Sequence, residues 1–230
     1  MAIVWEIINA LFRPRTRLAT FPPRLSFTDR SGLITGATSG LRIETAIHYV
    51  NLGADPVIIT TRNALRGAEA QKTIEECTVK AGVIQVRTLD IDTSNSVEVF
   101  VDSLKAEVRA IDIVLLNAGV HNFIYEKSPD GWESDLQVNL LSNTLLRLLI
   151  LPWMRAVKKP GQVQHLSFVS SGHHMAVDIL APTFPKQDMF KYFNGKKNYT
   201  TGRDAYGVSK LFLEYAKNKI ANLCVEGDGR

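Results

Sequence analysis

Cysteine is nearly absent: the 230 residues hold two, Cys77 and Cys224. They stand far apart with no metal-ligand spacing, which argues against a disulfide framework or a zinc site. Both read as buried or idle thiols of a reducing, cytoplasmic compartment. The N-terminal apolar stretch, Ala2 to Phe12, is broken by Glu6 and Asn9 and is too short to span a bilayer. A basic cluster follows it, and no small-residue cleavage site marks a secretory leader. Internal repeats and low-complexity tracts are also lacking. Basic charge is scarce where a nucleic-acid surface would need it. The net charge is +4, but Arg13, Arg15, Arg17, Arg24 and Arg30 stand against only Glu6 and Asp29 in the first thirty residues. The rest is nearly neutral, so no nucleic-acid partner is expected.

What is present has the balance of an ordinary globular chain, 45% hydrophobic and 22% charged, and is long enough for one core. Residues 1–30, punctuated by Pro14, Pro22 and Pro23, read as an arm. It either packs on the protein or lies as an amphipathic segment on a membrane surface. From Ser31 onward, residues 31–230 read as a single domain. β-Branched runs occur at Val57–Thr61, Val83–Leu89 and Ile111–Leu116, with a weaker one at Val163–Val169. Between and after them lie helical stretches at Ile43–Leu52, Leu65–Lys80, Ser96–Val108, Ser134–Met154 and Tyr206–Leu223. Strands spaced by helices of this length make βαβ units, hence an α/β fold with a doubly wound parallel sheet. Ligands of such sheets bind beyond the carboxyl ends of the strands.

The strand ends carry a consistent chemistry. After Leu33-Ile34 comes Thr35-Gly36-Ala37-Thr38-Ser39-Gly40-Leu41-Arg42. A glycine-containing turn that opens a helix lets backbone N–H groups hold a pyrophosphate. The second strand ends in Thr61-Arg62-Asn63. An NAD-preferring fold usually places an acid there, whereas the Arg62 guanidinium suits a 2′-phosphate. Asp90 follows the third strand, Asn117-Ala118-Gly119 the fourth and Ser170-Ser171 the fifth. Tyr206 and Lys210, four residues apart, share one helix face. A neighbouring ammonium favours tyrosinate and brings the phenol toward acid–base work.

In this order the motifs resemble the short-chain dehydrogenase/reductase family, over about residues 31 to 223. Leu116-Asn117-Ala118-Gly119-Val120 and Gly131-Trp132-Glu133 with Leu136-Gln137-Val138-Asn139 look most like fungal members. Those resemble retinol-dehydrogenase-like reductases of secondary-metabolite pathways. The resemblance implies a Rossmann-type oxidoreductase that interconverts a small-molecule carbonyl and an alcohol with NADP(H). It implies catalytic roles for Ser171 (with Ser170 the nearby alternative, the second serine preferred by family position), Tyr206, Lys210 and Asn139: hydrogen bonding to the substrate oxygen, proton transfer, ribose contact with electrostatic support, and a proton relay. It implies cofactor contacts from Gly36, Ser39, Gly40, Leu41, Arg62, Asp90, Asn117, Tyr206 and Lys210. No metal is implied, and adjacent His173 and His174 lack a third ligand. A homodimer is a further implication.

Four departures accompany the resemblance. Residues 172–205 are longer than the family's common form and read as part of the substrate pocket. The third glycine of the turn is Arg42, which could reach a phosphate or obstruct its approach. The first strand is thin. The family's usual last strands are lacking, which leaves one sheet edge uncovered. The alternative reading is therefore a truncated, non-catalytic relative that acts as a binding module or partner subunit.

Overall fold

The computed structural model describes residues 25–227; the arm up to residue 24 lies outside the described residues, and with it most of the membrane-contact question. Five parallel strands, β1 (Gly32–Ile34), β2 (Val57–Thr61), β3 (Ile84–Thr88), β4 (Ile113–Leu116) and β5 (His165–Phe168), lie in the order β3-β2-β1-β4-β5. The chain therefore winds outward one way through β2 and β3, then returns to the far side of β1 for β4 and β5. This reversal makes a crevice beyond β1 and β4. Helices α1 (Leu41–Asn51), α2 (Ala64–Thr78) and α3 (Ser94–Glu107) supply the crossovers between the first four strands.

Alternation along the strands builds a core on each face. Leu33, Ile58, Val114 and Leu116 face α3 and α4 (Asn143–Ala156), packing on Val97, Phe100, Leu104, Leu146 and Ile150. Ile34, Val57 and Ile59 face the opposite way and pack on Ala46, Ile47 and Val50 of α1 and on Ala70 and Ile74 of α2. The thinness of β1 is offset by polar locks at both ends. Ser31 takes an Asp112 carboxylate oxygen with its N–H at 2.9 Å and donates its hydroxyl to the Ala110 carbonyl at 2.9 Å. At the other end Thr35 Oγ1 accepts the N–H groups of Asn117 at 2.9 Å and Ala118 at 3.0 Å. All three β1 residues are buried.

Two local readings need correction. The Ser134–Met154 stretch is not one regular helix: Leu136–Ser142 is π-helical and runs into α4. Such a widened turn re-aims side chains within one continuous segment, which hydrophobic periodicity does not reveal. Of the two alternatives for Cys77, a buried or an idle thiol, burial is the one that falls: it is free and exposed, because the buried stripe of α2 (Gly67, Ala70, Ile74) ends before the last turn.

Residues 172–205 fold into short pieces: a 3₁₀ turn at Gly172–Ala176, α5 (Met189–Phe193) and a second 3₁₀ turn at Lys196–Asn198. Asn194 ties them down, its side-chain oxygen accepting the Glu133 N–H at 2.7 Å and its carbonyl accepting the Tyr125 hydroxyl at 2.9 Å. The long α6 (Gly202–Gly227) then packs Val208, Phe212 and Leu213 on Leu136 and Leu140 of the π-helical segment. That contact brings the two helices bearing Asn139 and Lys210 together. No helix among the described residues is long and apolar enough to cross a membrane.

Candidate active site

A cleft of about 570 Å³ opens at the crevice. Gly36, Thr38 and Ser39 form one wall, Ala118, Gly119 and Val120 another, and Arg62, Arg66, Asp90 and Asp92 line its far end. Gly36 has φ +68° and lies so close to the fourth strand that an added Cβ would meet the Ala118 Cβ at 3.1 Å. Only glycine suits both the backbone and the space there. Gly40 ends the turn at φ 56° with no side-chain cap on α1. The next two helices are capped, by Asn63 Oδ1 on the Arg66 N–H and by Thr93 Oγ1 on the Ser96 N–H. At α1 no side chain takes that place: the Arg42 and Ile43 N–H groups make only the turn's own bonds, to the Ser39 carbonyl at 3.3 Å and the Gly40 carbonyl at 3.1 Å, and the helix end keeps a positive potential toward an anion in the cleft. Leu41, the first residue of α1, is 87% exposed.

At the far end Arg62 lies 3.6 Å from Asp92, with its side chain 68% exposed. A pair this open is weak, so the guanidinium can turn to a phosphate. Burial first, and neighbouring Asp90 next, push the Asp92 carboxyl up, with Arg62 opposing them. Asp90 folds back, its Oδ1 accepting the Asp92 N–H at 3.1 Å. Asn117 is set by Thr35 through its backbone, and its buried Nδ2 has no protein partner.

Behind the Gly119–Val120 wall stands α6. Lys210 Nζ donates to the Val169 carbonyl at 3.0 Å and lies 5.7 Å from the Tyr206 ring centre. Burial, with Arg42 adding to it, pushes the Lys210 ammonium down to about 8, against the pull of Asp135 and Glu214. Asn139 is fully buried. Its Oδ1 accepts the Val120 N–H at 2.9 Å, and its Nδ2 donates to the Val120 carbonyl at 2.9 Å and to Ser209 Oγ at 3.0 Å. Gly119 is required beside it, since a Cβ there would sit 2.9 Å from Asn139 Oδ1 and 3.5 Å from Lys210 Nζ. Ser171 caps the 3₁₀ turn by accepting the His173 N–H at 3.3 Å, which leaves its own hydroxyl proton free to donate.

Sequence reasoning missed several neighbours. His121 stacks on Tyr206 with ring centres 4.5 Å apart, and His173 meets the same ring edge-on at 5.5 Å. Asp135, one helical turn before Asn139, is wholly buried. Its carboxyl is raised to about 7, by burial first, with the Asn122 N–H and Lys210 opposing and Glu133 adding. Arg66 stands four residues after Arg62, and that spacing was the available signal. Residues 172–205 and the start of α6 line a cavity of about 460 Å³, walled by Val177, Phe184, Tyr192, Phe193 and Val208. Its wall includes His173 but neither Ser171 nor Tyr206, so it is offset from the hydroxyl groups. Among the described residues no cluster could hold a metal ion.

The arrangement matches a family model described as short chain dehydrogenase over residues 31–178. The chain belongs to the short-chain dehydrogenase family. Similar short-chain dehydrogenases are fungal. One from Arthrobotrys oligospora is 34% identical over 213 residues, covering 90% of this chain and 65% of that protein. A short-chain dehydrogenase/reductase from Aspergillus flavipes is 39% identical over 201 residues, covering 86% and 58%. The chain thus spans about half to two thirds of the length of these relatives. Among solved structures, one described as a short chain dehydrogenase from Escherichia coli CFT073 complexed with NADPH superposes with TM-score 0.65 at 25% identity, covering 87% of this chain and 74% of that one. The Pseudomonas aeruginosa RhlG/NADP active-site complex gives TM-score 0.68 at 20% identity, covering 90% and 71%, a likeness of fold. The chain shares the Rossmann-type fold of its family.

Proposed function

We propose that this short-chain dehydrogenase uses NADP(H) to interconvert a carbonyl and an alcohol on a small molecule, as a tailoring step of fungal secondary metabolism. The observation that carries the reading is that the uncapped α1 turn and Gly119 share one cleft, with Lys210 Nζ 3.5 Å from where a Gly119 Cβ would sit and the Tyr206 ring next to that ammonium. That cleft ends in Arg62 and Arg66 rather than an acid reserved for a ribose hydroxyl. The residues fit the cofactor: Gly36, Ser39, Gly40 and Leu41 offer the turn, Asn117 and Asp90 flank it, and Arg62 meets the 2′-phosphate. When bound, the dinucleotide supplies or accepts the hydride.

The chain's own residues handle the proton. In reduction the Tyr206 hydroxyl donates its proton to the carbonyl oxygen, and the free Ser171 hydroxyl donates a hydrogen bond to the same atom. The Lys210 ammonium lowers the cost of the tyrosinate that results. Asn139 supports that proton route from beside Lys210 by holding Val120 and Ser209 in place. The 172–205 segment bounds the substrate side through His173. A cytoplasmic location, pairing into a homodimer and the absence of a nucleic-acid partner complete the reading.

Tyr206→Phe, assayed by NADPH absorbance with a panel of aryl ketones and 1,2-diketones, should lower turnover by roughly 10²–10⁴-fold while NADPH binding stays within about twofold. Retained turnover would sink the assignment of Tyr206. Arg62→Ala should weaken NADPH roughly tenfold or more and leave NADH nearly unchanged; equal losses would remove the 2′-phosphate role.

A further inference from the structure

Arg42 stands where this family's turn carries its third glycine, at the second position of α1. Its side chain crosses the cleft, and Nη2 donates to the Gly119 carbonyl on the opposite wall at 3.3 Å. It lines the cleft with Gly36, Ser39 and Gly119. Among the described residues no carboxylate lies within ion-pair distance of it. Its one polar contact is a carbonyl, which answers a single donor of the guanidinium fork. The uncapped N-terminus of α1 adds positive potential at the same place. Two further cations, Arg62 and Arg66, close the far end of the cleft. Arg62 is held only by its open 3.6 Å pair with Asp92, and a row of positive groups so weakly engaged along one cleft is matched by an extended polyanion.

We propose that Arg42 grips the diphosphate of a bound dinucleotide, exchanging its Gly119 contact for the phosphate oxygens, and so supplies by side chain what the missing glycine leaves to backbone. The proposal rests on the NADP(H) reading above and deepens it. A steric obstruction would need the guanidinium fixed in the cleft, whereas a single 3.3 Å contact to a carbonyl on a half-buried side chain lets it swing. The same charge has a second effect, because Arg42 is the cation that helps burial hold the Lys210 ammonium down. Groups facing Lys210 are Arg42 from α1, Asp135 ahead of the π-helical segment, and Tyr206 and Glu214 from α6. Neutralising Arg42 therefore lets Lys210 keep its proton to higher pH, and a bound diphosphate does this without mutation.

The test is equilibrium binding of NADPH, ADP-ribose and adenosine 2′-monophosphate to the full chain and to Arg42→Gln, Arg42→Lys and Arg62→Ala, with ligand-free melts to check folding. Arg42→Gln should weaken NADPH and ADP-ribose roughly tenfold, the loss of one charge-assisted contact, and leave adenosine 2′-monophosphate unchanged. Arg42→Lys should recover most of that loss. Arg62→Ala should show the reverse pattern, weakening NADPH and adenosine 2′-monophosphate but not ADP-ribose. In Arg42→Gln the alkaline fall in NADPH affinity should also move above its wild-type position. Unchanged or tighter NADPH binding in Arg42→Gln, beside an intact Arg62→Ala effect, would overturn the role of Arg42 alone. A wild-type chain that melts cooperatively but binds none of the three probes would overturn the NADP(H) reading and this inference together.

Discussion

At Asp135 the fold places a carboxyl where its charge is poorly tolerated. One oxygen accepts the Asn122 N–H at 3.1 Å, and the other is buried without a partner. The folded group titrates at about 7 against an ordinary value of 3.8. Between these values the native state holds a proton the unfolded chain has lost. Its contribution to stability is complete below about 4 and disappears as pH rises through 7. Asp135→Asn should flatten the stability profile between pH 4 and 7 and gain on the order of 2–4 kcal/mol at pH 8. Urea titrations at several pH values would measure this, and an unchanged slope would show that Asp135 stays ionised. Lys210 would lose the carboxylate that favours its charge, so the alkaline fall in reductive kcat/KM, expected near pH 8, should move to lower pH in the same variant. Tyr206, Lys210 and Asn139 were legible as residues because their types and spacing carry the chemistry. Asp135 and His121 were not, since nothing local separates a buried acid or a stacked imidazole from exposed ones.

Elements were legible to the extent that periodicity reports them. β2 was read with its observed ends, and α2 and α3 within two residues. β1 gave a weak signal because a strand flanked on both sides needs few residues when its ends are locked by Ser31 and Thr35. The π-helical turn left no trace, since its apolar spacing differs little from that of an α-helix over seven residues. Strain also appears at this scale. Helix α2 ends on Val79 at φ 54° and ψ 34°, a left-handed conformation that a β-branched residue adopts at a cost. Val79 is 91% exposed, so little packing offsets that cost. Val79→Gly should stabilise the protein by about 1 kcal/mol and raise Tm by roughly 2–4 °C. A lower Tm in calorimetry would mean that the left-handed end is not kept in solution.

For the whole molecule, the two cores hold the sheet while the cleft lies between its halves, so a ligand that binds there braces both. NADPH at a hundredfold excess over its Kd should raise the thermal midpoint by roughly 5–10 °C, and NADH at the same concentration should raise it less. A cooperative melt that neither dinucleotide moves would favour a non-catalytic relative. The amino-acid sequence by itself determined the fold class and the crevice. Alternating strand and helix periods point to a parallel sheet of βαβ units, and the glycine turn follows its first strand. Tertiary structure decided which charges face one another. Arg42 and Gly119, seventy-seven residues apart, meet across the switch point, and the packing of α6 on the π-helical segment sets Asn139 and Asp135 beside Lys210. Burial and long-range Coulomb terms depend on distances between segments far apart in the chain, and local pattern carries no record of those distances.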